Sequence, residues 1–198
     1  MQEFWNKRYS ESKYIYGKKP NQFLKEELSL LPAGRILFLG EGEGRNAVYA
    51  AAHGWYVDAV DFSKTGKEKA EKLAAEHGVK INYSIEDLSQ FTPQQNFYDA
   101  AALIFIHLND ELRSAVNKKA IAALKPGGKI ILEVFEKDQI KNESGGPKDE
   151  ELLYSLEDVI NDFIELDFEK FAKETIELNE GEYHKGKAAV IRFVGVKN

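Results

Sequence analysis

A chain of 198 residues, 43% hydrophobic and 30% charged, is long enough to bury a sizeable core and lies outside the compositions that stay disordered. Its formal charge of −6 argues against a nucleic-acid partner, which selects a basic stripe, and the absence of cysteine excludes disulfides, thiolate zinc sites and cysteine nucleophiles. No apolar run reaches membrane-spanning length, and the opening MQEFWNKRYSESK lacks the apolar segment and cleavage site of a signal peptide, so a cytoplasmic protein with no membrane partner is expected.

Residues 1–32 place Trp5, Tyr9, Tyr14, Tyr16 and Phe23 ahead of the first strand signal. Such density of aromatics suits either a lid or packing on the sheet edge; packing is the expectation for Trp5, Tyr9 and Phe23, whereas Tyr14 and Tyr16, beside Gly17 in a turn, are candidates for the substrate side. From Arg35 onward, RILFLG, WYVDAVDF, VKINYSI, AAALIFI and KIILEVF are short, apolar and bounded by turn residues, which predicts buried strands. EGRNAVYAAAHG, SKTGKEKAEKLAAEHG and NDELRSAVNKKAIAALKPGG have helical spacing and end in Gly or Pro-Gly.

That alternation predicts a doubly wound α/β fold with a mostly parallel sheet and helices on both faces. After the polar loop EKDQIKNESGGPKDEE, SLEDVINDF reads as a helix capped by Ser155, and DFEKFAKETIEL and KAAVIRFVGV read as an antiparallel hairpin. No linker or repeat divides the chain. A single domain over 1–198 is expected, with a lid or helix segment (1–32), a ligand-binding core (33–135) and a C-terminal loop, helix and hairpin (136–198).

The stretch LFLGEGEG carries the chemistry. Gly40, Gly42 and Gly44 follow a strand and open a helix, the arrangement of a nucleotide-type ligand at the carboxyl ends of an open α/β sheet. Asp61 ends the next strand, seventeen positions beyond Gly44, where a carboxylate can accept from both hydroxyls of a ribose. A dinucleotide site spaces its glycines G-x-G-x-x-G, whereas here they run G-x-G-x-G with Glu41 and Glu43 between them. Two carboxylates repel a pyrophosphate and tolerate a cationic sulfonium, which favours S-adenosylmethionine over NAD.

These segments resemble the class I S-adenosylmethionine-dependent methyltransferases: LFLGEGEG is similar to their first motif, VDAVDFS to the second, IEDLSQF to the adenine-contacting turn, and LKPGGKIILEVF to the entry of the fifth strand. The resemblance implies a seven-stranded sheet, with the three glycines under the methionine and ribose, Asp61 on the ribose, Phe62 stacked on the base, and Asp87 with the Leu88 amide at the adenine. Many relatives carry an acid where Phe38 stands; Glu41 is the candidate partner for the cofactor ammonium.

YGKKPNQFL, GEGEGRNAVYAA and SGGPKDEELLYSLEDV further resemble the tellurite-resistance and thiopurine methyltransferase subgroup, which implies methylation of sulfur, selenium or tellurium in a small-molecule acceptor. By that resemblance His184, Lys185 and Arg192 lie near the acceptor. His107, after strand AAALIFI, is a further candidate to orient or deprotonate a nucleophile. The scattered histidines give no metal signature. Two other readings stay open: an NAD-dependent oxidoreductase and a non-catalytic S-adenosylmethionine-binding protein.

Overall fold

The computed structural model describes residues 2–198. Two short helices precede the sheet, α1 (Gln2–Tyr9) and α2 (Gln22–Ser29), the second begun by the Asn21 side chain, which accepts from the Leu24 amide at 2.9 Å. Then follow β1 (Arg35–Leu39), α3 (Arg45–Ala52), β2 (Tyr56–Asp61), α4 (Lys64–Glu76), β3 (Asn82–Ile85), β4 (Tyr98–Ile104), α5 (Asp110–Ala123) and β5 (Leu124–Phe135). The chain closes with α6 (Leu156–Phe163) and the hairpin β6 (Asp167–Asn179) and β7 (Lys185–Val196).

The strands form one seven-stranded sheet in the order β3-β2-β1-β4-β5-β7-β6. Pairings among β1 to β5 are parallel, and β7 runs antiparallel between β5 and β6. This is the expected doubly wound, mostly parallel sheet with its C-terminal antiparallel hairpin. Alternation along β1 divides the core: Leu37 and Leu39 pack with Val116, Ile121 and Phe163 of α5 and α6, while Ile36 and Phe38 pack with Phe23, Leu24 and Ala47 of α2 and α3. Phe38 is thus a core residue, which accounts for an apolar side chain at that position.

Residues 86–97 cross from β3 to β4 as turns. Two boundaries differ from the sequence expectation. Strand β4 stops at Ile104, two residues short of AAALIFI, because Phe105 takes φ +52° and turns the chain out of the sheet. The segment LKPGG leaves α5 and joins β5, where Leu124 pairs with Tyr98. Ser155 caps α6 as expected, accepting from the Asp158 amide while the Asp158 carboxylate accepts from the Ser155 amide at 2.8 Å. Among the described residues no helix is long and apolar enough to cross a membrane.

Candidate active site

A cavity of about 260 Å³ opens beyond the carboxyl ends of β1, β2 and β4, on the side where α3 leaves β1. Because β2 and β4 flank β1, the crossovers diverge there, and the sheet cannot fill the gap with its own side chains. Gly40, Glu41, Asp61, Phe62, Asp87 and Leu88 line one half of it. Trp5, Tyr16, Phe105, His107 and His184 line the other, while Tyr9 reaches from α1 to the glycine loop, its hydroxyl beside Gly42.

Of the three glycines, Gly40 lines the cavity, while Gly42 and Gly44 also serve contacts within the fold. The Gly42 amide donates to Asp61 Oδ2 at 3.0 Å and its carbonyl accepts from the Tyr83 hydroxyl at 2.7 Å. Gly44 has φ +87° at the start of α3, and a Cβ there would come within 2.4 Å of the Ala70 methyl on α4. Its lack of a side chain serves the contact between two helices rather than contact with a ligand.

The three acids of this region have separate duties. Asp61 ends β2 with Oδ2 on the Gly42 amide and Oδ1 on the Ser63 amide at 2.8 Å; burial outweighs these bonds and raises its pKa to about 6. Glu41 Oε1 accepts from the amides of Asn46 and Ala47 at 2.9 and 2.8 Å, so it caps α3 in place of Gly44, which has no side chain to do so. Burial raises Glu41 to about 7 despite those amides. Glu43 turns away from the loop: it accepts from the Ile15 amide at 2.8 Å and the Tyr16 amide at 3.4 Å, and from Lys69 Nζ at 2.6 Å. That carboxylate fastens the aromatic opening segment over the cavity.

The second half of the cavity is walled by rings. His107 stacks between Trp5 and Phe135, with centroids 6.3 and 5.9 Å away, and burial pushes its pKa down to about 3. His184 is buried against Tyr16 at 4.5 Å and edge-on to Phe105 at 4.7 Å; burial lowers its pKa against the pull of Glu180. Its Nδ1 lies 3.6 Å from Glu180 Oε2, beyond hydrogen-bonding reach. Glu180 is claimed more closely by Arg45 at 2.8 Å. Both imidazoles are therefore neutral near pH 7. So weak a base leaves a thiol or hydroxyl protonated, so of the two roles expected of His107, orienting or deprotonating an acceptor, burial favours the first.

Three other candidates do not reach the cavity. The Tyr14 hydroxyl donates to the Lys69 carbonyl at 2.9 Å and anchors the opening turn to α4. Lys185 begins β7 with its side chain in solvent, while its amide donates to the Ser144 carbonyl at 3.1 Å. Arg192 stands opposite Glu133 across the β5–β7 ladder, donates to it at 2.7 Å and to Glu174 at 2.8 Å, and covers the Phe23 ring. Buried Glu133 needs that cation, so Arg192 is committed to the core. The structure adds Trp5, Tyr9, Glu43, Arg45 and Phe105 to the lining. Trp5 and Tyr9 are four apart on α1, a spacing that puts both on one helix face.

Residues 36–128 match the family model described as a methyltransferase domain. Thiocyanate methyltransferase 1 of Brassica oleracea is 28% identical over 137 residues, covering 67% of this chain and 58% of that protein. A ubiquinone biosynthesis O-methyltransferase of Coxiella burnetii is 26% identical over 119 residues, covering 59% and 50%. The chain thus spans little more than half the length of the curated relatives it matches. Among solved structures, one from work on the conversion of a disulfide bond into a thioacetal group during echinomycin biosynthesis superposes with a TM-score of 0.82 at 14% identity, over 100% of this chain and 92% of that one. TehB from Haemophilus influenzae superposes with a TM-score of 0.75 at 16% identity, over 100% and 67%. Over residues 36–128 the chain is thus similar to a methyltransferase domain, and its sheet order and topology are those of the superposed structures.

Proposed function

We propose that the chain transfers a methyl group from S-adenosylmethionine to a sulfur, selenium or tellurium atom of a small-molecule acceptor. The observation that carries this reading is the division of one cavity into two unlike halves: a glycine edge with a buried acid, and a wall of rings and neutral imidazoles without a strong base. When bound, the cofactor supplies a methyl group on a cationic sulfur, open to in-line displacement.

On the cofactor side, Gly40 lets the ligand approach the backbone, and Asp61, already oriented by two amides, is placed to accept from ribose hydroxyls. Phe62 and Leu88 offer apolar faces to a base, and Asp87, held below its ordinary pKa by bonds from Ser89, stays ionised to receive an exocyclic amine. Glu41 Oε1 is spent on the α3 amides, so its second oxygen is the one for an ammonium group. The same capping supports this cofactor over NAD, because the amides a pyrophosphate would use are already occupied by a carboxylate.

On the acceptor side, Trp5, Tyr16 and His107 exclude water and present π faces toward a positive sulfur. A soft nucleophile suits such a wall, since it is reactive when weakly solvated and ionises without a strong base. The Brassica relative, named for thiocyanate, agrees with that choice. The test is transfer of a labelled methyl group from the cofactor to a panel of aromatic thiols, hydrosulfide, selenite, tellurite and catechol. Labelling of thiols or chalcogen oxyanions above catechol is the expected result; exclusive labelling of catechol overturns the soft-atom reading.

A further inference from the structure

Among the arginines of the described residues, one is left without a carboxylate. Arg35, Arg45, Arg113 and Arg192 each have a carboxylate within 3.5 Å. Arg8 is the one arginine among the described residues without a carboxylate partner within 4.0 Å. Its guanidinium lies against Phe4, Trp5 and Tyr183, with ring centroids 4.6, 5.5 and 4.9 Å away, and its Nη1 donates to the Tyr16 hydroxyl at 3.1 Å. A protein of net charge −6 would ordinarily pair such a group with a carboxylate; here three rings flank a half-buried guanidinium and, among the described residues, a phenol is its only hydrogen-bonding partner.

The Tyr16 oxygen accepts from Arg8, and among the described residues its own proton has no acceptor. Tyr16 lines the cavity beside His184 and Trp5, so that proton is free for a ligand. Burial keeps the phenol protonated, with its pKa above the ordinary value in spite of Arg8.

We propose that Arg8 acts through Tyr16 as the positioning residue for an anionic acceptor, so that the site receives its thiol-type substrate already ionised. This rests on the methyltransferase reading above and specifies the charge of its acceptor. The acceptor lone pair then forms the new bond to carbon, the old carbon–sulfur pair stays with the cofactor sulfur, and no proton has to leave. That balance accounts for an acceptor wall whose two imidazoles are too weakly basic to take a proton. Placing the guanidinium one residue behind the phenol also suits the chemistry: direct ion pairing would hold the anion too firmly to react, whereas a phenol bond polarised from behind orients it at lower cost to reactivity.

The test measures binding to the protein saturated with S-adenosylhomocysteine, using thiophenolate as the anionic probe and thioanisole as its neutral analogue. Arg8→Gln and Tyr16→Phe should each weaken thiophenolate by about tenfold, the loss of one charge-assisted bond, and leave thioanisole and S-adenosylhomocysteine binding unchanged. Arg8→Lys, which keeps the charge and loses the planar fork, should fall between wild type and Arg8→Gln. Equal weakening of both probes, or of neither, overturns the proposal and gives Arg8 only the task of stapling α1 to the hairpin turn. If wild-type protein fails to bind S-adenosylhomocysteine at all, the methyltransferase reading itself fails and takes this proposal with it.

Discussion

Asp61 combines two properties that work against each other. Its carboxylate is oriented by the Gly42 and Ser63 amides, yet burial raises its pKa from 3.8 to about 6. A raised folded-state value means that the stability linked to this proton is fully present below pH 3.8 and is lost as pH rises through 6. The charged form that a ribose requires therefore burdens the unliganded fold at neutral pH, and a ligand that hydrogen-bonds to it offsets the burden. Affinity for S-adenosylhomocysteine should be greatest near pH 8, where Glu41 and Asp61 are both ionised, and fall as pH drops through about 7 and then about 6, steepening as the two carboxylates protonate in turn. Calorimetry between pH 5 and 8 checks this; affinity that is constant or rises toward pH 5 would assign the ligand contact to another group. At this scale the sequence was informative where chemistry and position coincide, as at Gly40, Asp61, Phe62 and His107, all of which line the cavity. It misled where a long side chain had a nearer partner. Arg192 and Glu133 meet only because the β5–β7 register sets them opposite each other, and no spacing of 59 residues announces that pairing.

Among the elements, α3 and the opening segment decide the shape of the site. Gly44 was read as a ligand glycine, and the structure makes it a helix-packing glycine with Ala70 directly against it. Gly44→Ala should therefore destabilise the fold by about 1–3 kcal/mol in chemical denaturation, through crowding and its positive φ. Unchanged stability with lost ligand affinity would restore the ligand role. Glu43 ties the Ile15 and Tyr16 amides and Lys69 to the glycine loop, so Glu43→Ala should loosen the turn from Lys13 to Lys18. Faster tryptic cleavage at those exposed lysines, with the sheet still folded by circular dichroism, is the expected outcome; an unaltered cleavage rate would show that the aromatic contacts alone hold the segment. This lid was only half legible beforehand. The density of aromatics was plain, but which rings turn inward depends on where α1 packs, and α1 is held by tertiary bonds such as Gln2 to the Phe62 carbonyl and Ser63 to Asn6.

Over the whole molecule, the order of apolar runs and helical segments was enough to foretell the sheet, because burial on both faces leaves continuous apolar strands and the crossover rule fixes their direction. What periodicity could not show was the exit from the sheet. Phe105, at positive φ with its ring stacked on Phe135 at 4.5 Å, bends the chain so that His107 faces Trp5 across the cavity. A backbone conformation unfavourable for a bulky residue, placed at the mouth of the cavity, is held by packing against Phe135 and His184. The meeting of a glycine edge with buried acids and a cluster of rings in one cavity is thus a property of the assembled fold rather than of one motif.

The account depends first on the cofactor, and direct titration tests it. Purified protein should bind S-adenosylhomocysteine saturably in calorimetry, with affinity at least about tenfold lower in Asp61→Ala and no response to NAD or NADH. Saturable binding of NADH that Asp61→Ala weakens, with no heat from S-adenosylhomocysteine, would contradict the methyl-transfer account and make the cavity a dinucleotide site.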